Sequence, residues 1–110
     1  MIPNWTIKPH IKGDTFNSRK ITFPFDITDC RIDMQFRLNG TGTSIFEEWS
    51  TENLTFEKIS ATEVIMKSRI INQKVGTYAS DLQVTFEDGT VYTYFKASLQ
   101  ILQDITIPAL

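Results

Sequence analysis

The chain carries little with which to do chemistry. Its 110 residues include one histidine, His10, and one cysteine, Cys30. A single cysteine permits no intramolecular disulfide, so folding does not depend on an oxidising compartment. One histidine and one cysteine also exclude the common zinc arrangements, which need several such ligands to converge. There is no excess of positive charge: 11 Lys and Arg against 13 Asp and Glu give a net charge of −2 and a pI near 5.3. The densest basic cluster is Arg19-Lys20, so the chain lacks the basic face that nucleic-acid binding demands. No apolar run approaches the roughly 20 residues that span a bilayer, and no membrane contact is expected. Met1-Ile2-Pro3-Asn4-Trp5 has no basic start followed by an apolar stretch, so it does not read as a signal peptide. Use from a cytoplasm is expected, and the sequons at Asn4, Asn39 and Asn53 are read as coincidence.

What is present is β-strand chemistry. Apolar residues make up 41% of the chain and aromatics 12%, with eight Phe, which suits one globular domain over 1–110 and argues against disorder. Ile32, Met34, Phe36 and Leu38 alternate with Arg31, Asp33, Gln35 and Arg37, the pattern of a strand buried on one face. Ile21, Phe23 and Phe25 alternate with Thr22 and Pro24, and Pro24 places that strand at an edge or bends it. Asn39-Gly40 marks a turn. Ile45, Glu47 and Trp49 form a weaker strand ended by Ser50-Thr51-Glu52-Asn53, and Leu54 and Phe56 begin another. Ser60-Ala61-Thr62-Glu63 could hold one helical turn with Ser60 as its cap. Val64, Met66, Ser68 and Ile70 continue the alternation.

The last third reads as one long hairpin. Tyr78, Ser80, Leu82, Val84 and Phe86 face one way. Asp88-Gly89 reads as a two-residue turn with positive φ at both positions. On the return, Val91, Thr93, Phe95, Ala97, Leu99 and Ile101 share the core face, with Tyr92, Tyr94 and Lys96 opposite. Seven or eight strands at short spacing, with turn signals between them, favour a two-sheet sandwich over a barrel. The expected core is Ile21, Phe23, Ile32, Met34, Phe36, Leu54, Tyr78, Leu82, Val84, Phe86, Phe95 and Leu99.

Each candidate for catalysis reads more simply as structure. His10 lacks the strand–Gly-x-Ser-x-Gly–helix context of a nucleophile and its base, and follows Pro9 at an exposed position. Cys30 has no base, metal or helix end near it in sequence, so it reads as a small buried residue entering a strand. Asp26-Ile27-Thr28-Asp29 could offer two oxygens to calcium, but without EF-hand spacing it reads as Asx-turn chemistry. No acid stands out for paired-carboxylate hydrolysis of a sugar. Gly40-Thr41-Gly42 lacks the lysine and helix of a phosphate loop and is a turn. No catalytic residue, metal or cofactor is expected. Trp5, Trp49, Tyr92 and Tyr94 are the candidate interface, an aromatic platform for protein or sugar.

The stretch from Gly76 to Tyr94, with Gly76-Thr77-Tyr78, Asp81-Leu82, Thr85-Phe86-Glu87-Asp88-Gly89 and a closure at Asp104-Ile105-Thr106, resembles small phage virion β-sandwich domains. The immunoglobulin-like N-terminal domain of phage baseplate upper proteins is one of these. Upstream, Lys12-Gly13-Asp14-Thr15, Ile21 to Cys30, Ile32 to Arg37 and Trp49-Ser50-Thr51-Glu52-Asn53 resemble the same family in order. Asp29 departs from it, standing where the family often carries Gly. The family domain often opens a longer protein, whereas this chain ends four residues after Thr106, so a domain standing alone without a receptor-binding module is expected.

The resemblance implies an all-β, immunoglobulin-like two-sheet sandwich of seven to eight mostly antiparallel strands. It also implies a virion structural role: head decoration, head-fibre anchor, adaptor or baseplate subunit, assembled in the host cytoplasm against capsid, tail or baseplate proteins. It implies no catalytic residues. The alternative is a stand-alone carbohydrate-binding sandwich, which the aromatics permit.

Overall fold

A computed structural model describes residues 4–39 and 45–103. Among these, eleven β-segments and no helix occur: β1 (Asn4–Thr6), β2 (His10–Ile11), β3 (Thr15–Phe16), β4 (Arg19–Thr22), β5 (Arg31–Leu38), β6 (Glu47–Ser50), β7 (Phe56–Lys58), β8 (Glu63–Met66), β9 (Arg69–Ile70), β10 (Gly76–Thr85) and β11 (Val91–Leu102). The larger sheet has the order β1-β11-β10-β5-β6, with β2 also on β11. β1 and β2 run parallel to β11, and the other pairs are antiparallel. The smaller sheet is β4-β8-β7, and β3 pairs with β9. Thr15↔Ile70 and Arg19↔Met66 share one register, so β3–β9 prolongs the β4–β8 pairing across a two-residue break on each strand. Such breaks raise the count above the seven or eight strands expected.

The two layers close on one core. Ile32, Met34, Phe36, Tyr78, Leu82, Val84, Leu99 and Ile101 come from the larger sheet, and Phe56, Val64 and Met66 from the smaller; all are buried. On β5 the alternation predicted from sequence holds, with Ile32, Met34 and Phe36 inward and Arg31, Asp33 and Gln35 outward. A strand flips successive side chains to opposite faces, so this spacing fixes which face meets the opposing sheet.

Four local expectations are corrected. Only Gly89 of the Asp88-Gly89 pair takes positive φ, at 92°. Phe86 and Thr90 close a loop of Glu87, Asp88 and Gly89, with Phe86 N–H donating to the Thr90 carbonyl at 2.8 Å and Gly89 N–H to the Phe86 carbonyl at 2.9 Å. This is the three-residue hairpin with glycine in the left-handed position. Ser60–Glu63 is the turn between β7 and β8, where the Ile59 N–H donates to the Glu63 carbonyl at 3.0 Å. The Val64–Ile70 alternation breaks at Lys67-Ser68, so Ile71 is buried and Ile70 is exposed.

Leu54 is the fourth correction. Expected in the core, it is 65% exposed and sits at φ 64°. The Thr51–Thr55 loop must reverse between the sheets within five residues. Asn53 caps that turn by accepting the Thr55 N–H at 3.1 Å, which leaves Leu54 to take the left-handed residue. An L-side chain there costs about 1–2 kcal/mol, and glycine's extra freedom in the unfolded chain takes back part of the relief. Leu54→Gly is therefore expected to stabilise the fold by roughly 0.5–1 kcal/mol. Urea denaturation checks this as a raised midpoint at unchanged slope. Ile21, Phe86 and Phe95, also expected in the core, are half-buried and pack against its rim.

Candidate functional site

The period-two reading of the last strand fails at one residue, and the failure builds the site. Leu82 pairs with Phe95, but Gln83 pairs with Thr93, so Tyr94 is an extra residue on β11. Such a bulge reverses the faces beyond it. Phe95, Ala97, Leu99 and Ile101 stay on the inner face, as expected, but Tyr92 now pairs with buried Val84 and shares its side. Val91, expected inward, is exposed. Tyr92 and Tyr94 are therefore not on the outer face of the strand. They lean toward the opposing layer at its open end.

What they meet is the loop between β4 and β5. Pro24 has no N–H for a ladder, and β4 ends at Thr22. The Phe23 and Ile27 N–H groups instead donate to the Thr62 and Ala61 carbonyls at 2.8 and 2.7 Å, which holds the loop against the β7–β8 turn. Phe25 lies at its centre, with ring centroids 5.7 Å from Phe86, 6.0 Å from Tyr92 and 6.2 Å from Tyr94. Phe23 stacks 4.9 Å from Tyr94 and is buried. The Tyr94 hydroxyl donates to the Thr22 carbonyl at 3.3 Å, joining the two sheets. Tyr92 remains 48% exposed. Tyrosine offers a rigid ring and a polar tip, which is why it is favoured at contact surfaces.

Two acids flank the patch in sequence, Asp26 directly after Phe25 and Asp88 two residues after Phe86. Asp26 accepts from the Thr28 hydroxyl at 2.6 Å and from its N–H at 2.8 Å. These bonds, the hydroxyl's first, hold its carboxyl below the usual carboxylate range. Asp88, across the hairpin loop, accepts from the Thr90 N–H at 2.8 Å, and its carboxyl is lowered by that backbone bond and then by the Thr90 side chain. Both acids stay ionised near neutral pH. Lys58 stands near Asp26, its ammonium donating to the Thr28 carbonyl at 3.0 Å, so the loops around the aromatic faces carry charge of both signs.

The four aromatics expected to form one platform are separated by the fold. Trp49 is fully buried, because its strand β6 turns it inward beside Met34. There its ring lies between Phe16 and Phe36, and its Nε1–H donates to the Lys67 carbonyl at 2.9 Å. It is a core residue, not an interface residue. Trp5, on β1, is half-buried and meets Phe95 edge-on at 5.9 Å. Tyr92 and Tyr94 come together, at 6.4 Å. From sequence, Phe23 and Phe86 are expected in the core and Phe25 on the strand with Ile21 and Phe23, none of them in the interface. The signal available was Phe23-Pro24-Phe25, an aromatic pair around a residue that ends a strand.

The remaining candidates stand apart. The His10 ring nitrogen Nε2 lies 2.9 Å from the Asp14 carbonyl oxygen and its ring packs toward Phe16. Cys30 is buried ahead of β5, and burial pushes its thiol up, away from the reactive thiolate. Asp26 and Thr28 form an Asx turn. No group of three or more His, Cys, Asp or Glu converges among the described residues. The Gly40-Thr41-Gly42 turn and the Asp104-Ile105-Thr106 closure lie outside the described residues.

No protein-family model matches the chain. No curated protein matches it. Among solved structures the chain is similar to CopC from Methylosinus trichosporium OB3b, at 12% identity, over 91% of this chain and 89% of that one, with a TM-score of 0.50. At that identity the likeness is one of fold, a β-sandwich.

Proposed function

We propose that the protein is a phage or prophage virion structural protein, acting by protein–protein assembly on an immunoglobulin-like sandwich. The observation that carries this reading is the ordered series of virion-domain resemblances. Gly76 to Tyr94 spans β10, the hairpin loop and the start of β11, Ile32 to Arg37 lies within β5, and Trp49 to Asn53 leads out of β6. Sheet order supports the immunoglobulin-like part. A five-strand path with a parallel first strand faces a three-strand sheet, as in the two-sheet layout of that fold. Tyr78, near the start of β10, adds to it. Its hydroxyl donates to the Lys74 carbonyl at 2.7 Å, the bond of a tyrosine corner. Tyr78→Phe keeps the packing and leaves that carbonyl without its donor, so it is expected to cost about 1–2 kcal/mol. Chemical denaturation measures this directly.

The β4–β5 and β10–β11 loops lie at one end, where immunoglobulin-like domains carry their recognition loops. The patch of Phe25, Tyr92 and Tyr94 is the docking surface in this reading, and the loops around it carry Asp26, Asp88 and Lys58, charges of both signs that a partner must complement around an apolar centre. Tyr92→Asp places a charge where the ring would be desolvated. We expect it to lower incorporation into particles at least ten-fold in a complementation experiment, run at a temperature where the isolated variant, which also loses the Tyr92 packing on Phe25, is still folded. Undiminished incorporation of this variant would move the interface elsewhere.

A further inference from the structure

The outer face of the larger sheet holds a second feature, far in character from the aromatic patch. Along β5, Arg31, Asp33, Gln35 and Arg37 point outward, and β10 and β11 add Asp81, Gln83 and Lys96 beside the small residues Ala79 and Ser80. Together they line a concavity of about 480 Å³, within the size range of small-molecule sites. The absence of any large apolar side chain in it excludes an apolar ligand.

Its two sides differ in how their hydrogen bonds are used. On the β5–β6 side the polar groups are fixed to one another. Asp33 accepts from Arg31 Nε at 2.8 Å and from the Ser50 hydroxyl at 2.7 Å. Gln35 donates to Glu48 at 2.9 Å and accepts from Arg37 at 2.9 Å. On the β10–β11 side, the side chains of Asp81, Gln83 and Lys96 make no hydrogen bond or ion pair among the described residues. Asp81 and Gln83 are nevertheless half-buried, and Asp81 sits opposite Lys96 in the ladder. A rigid network therefore flanks a row of unspent acceptor, amide and ammonium groups.

The chemistry of that row selects the ligand. A phosphate or sulfate only accepts, so it could use Lys96 and the Gln83 amide but would meet the Asp81 carboxylate, whose accepting oxygens it cannot serve. A metal cation would meet Lys96 and both arginines. A hydroxyl both donates and accepts, so vicinal hydroxyls can donate to Asp81, accept from Lys96 and do both with Gln83. We infer that this face is a binding site for a neutral polyhydroxylated ligand, a carbohydrate, held by Asp81, Gln83 and Lys96. The inference does not depend on the assembly role, and it uses a surface distinct from Tyr92 and Tyr94.

The test is a glycan array of neutral and sulfated oligosaccharides probed with the full chain, followed by calorimetric titration of the neutral oligosaccharide most strongly retained. Asp81→Ala and Gln83→Ala are each expected to weaken that binding at least ten-fold. Their melting temperatures should not move, because neither side chain has a hydrogen bond or ion pair to lose among the described residues. Tyr92→Asp should bind the sugar as the parent chain does. Retention of no neutral glycan, retention of sulfated glycans only, or binding indifferent to Asp81→Ala and Gln83→Ala would each overturn the inference. A cross-linked protein partner on this face in place of a sugar would overturn it too.

Discussion

Replacing Trp49 by alanine is expected to cost about 3–5 kcal/mol, the range for deleting a large buried ring. Three losses act together. The ring is fully buried between Phe16 and Phe36, with centroids at 5.6 and 5.9 Å, so its removal opens a cavity that the two stiff sheets close poorly. Its Nε1–H leaves the Lys67 carbonyl without a donor, at the break where β8 gives way to β9. The Arg69 guanidinium, 3.8 Å above the ring, loses its stacking surface. A domain of this size is stable by only about 5–15 kcal/mol in total. Trp49→Ala should therefore shift the denaturation midpoint far to lower urea, or leave no folded protein at 37 °C. A loss below 1 kcal/mol would mean that this tryptophan is not where the fold places it.

Arg69→Ala is the second large effect, expected near 2–3 kcal/mol from charged hydrogen bonds and a cation–π contact together. Arg69 spans the gap between the layers. Its Nη1 bonds Glu47 at 2.9 Å, its Nη2 donates to the Glu48 carbonyl at 2.8 Å, and its plane covers Trp49. The pair is not a surface ion pair of negligible worth: the side chains are 24% and 11% exposed. Gln73 also donates to Glu47, at 2.8 Å, so Glu47 is not left bare when Arg69 is lost, which keeps the cost below that of a fully buried broken pair. Arg69→Lys should recover little, because an ammonium cannot serve both oxygens and stack at once. Arg69→Ala and Trp49→Ala share contacts, so their costs in denaturation experiments should sum to more than the double variant loses.

How far the sequence shows this arrangement depends on the range of the interaction. The β5 strand is legible because Ile32, Met34 and Phe36 alternate with polar residues and only one register buries them. The hairpin is legible from the two long runs around Asp88-Gly89. The bulge is not, since Tyr92, Tyr94 and Phe95 are all aromatic and period two gives no sign of where the face reverses. Phe25 meets Tyr92 and Tyr94 across more than sixty residues of chain, so no local pattern joins them. Trp49 reads as an interface candidate because tryptophan is frequent at interfaces. Its burial follows from Arg69 and Phe16, which approach it from the other sheet. Leu54 shows the opposite failure: it continues an apolar rhythm, but the turn fixed by Asn53 claims its backbone.

The role proposed for this sandwich is packing into a particle. Quantitative mass spectrometry of purified intact particles from the source tests it most directly. The account predicts peptides of this chain at a copy number comparable to that of a capsid or tail-ring protein, with the ratio assigning it to head or tail. Absence of the chain from intact particles would contradict the assembly role, and would leave the polar face of the larger sheet as the surface on which its function rests.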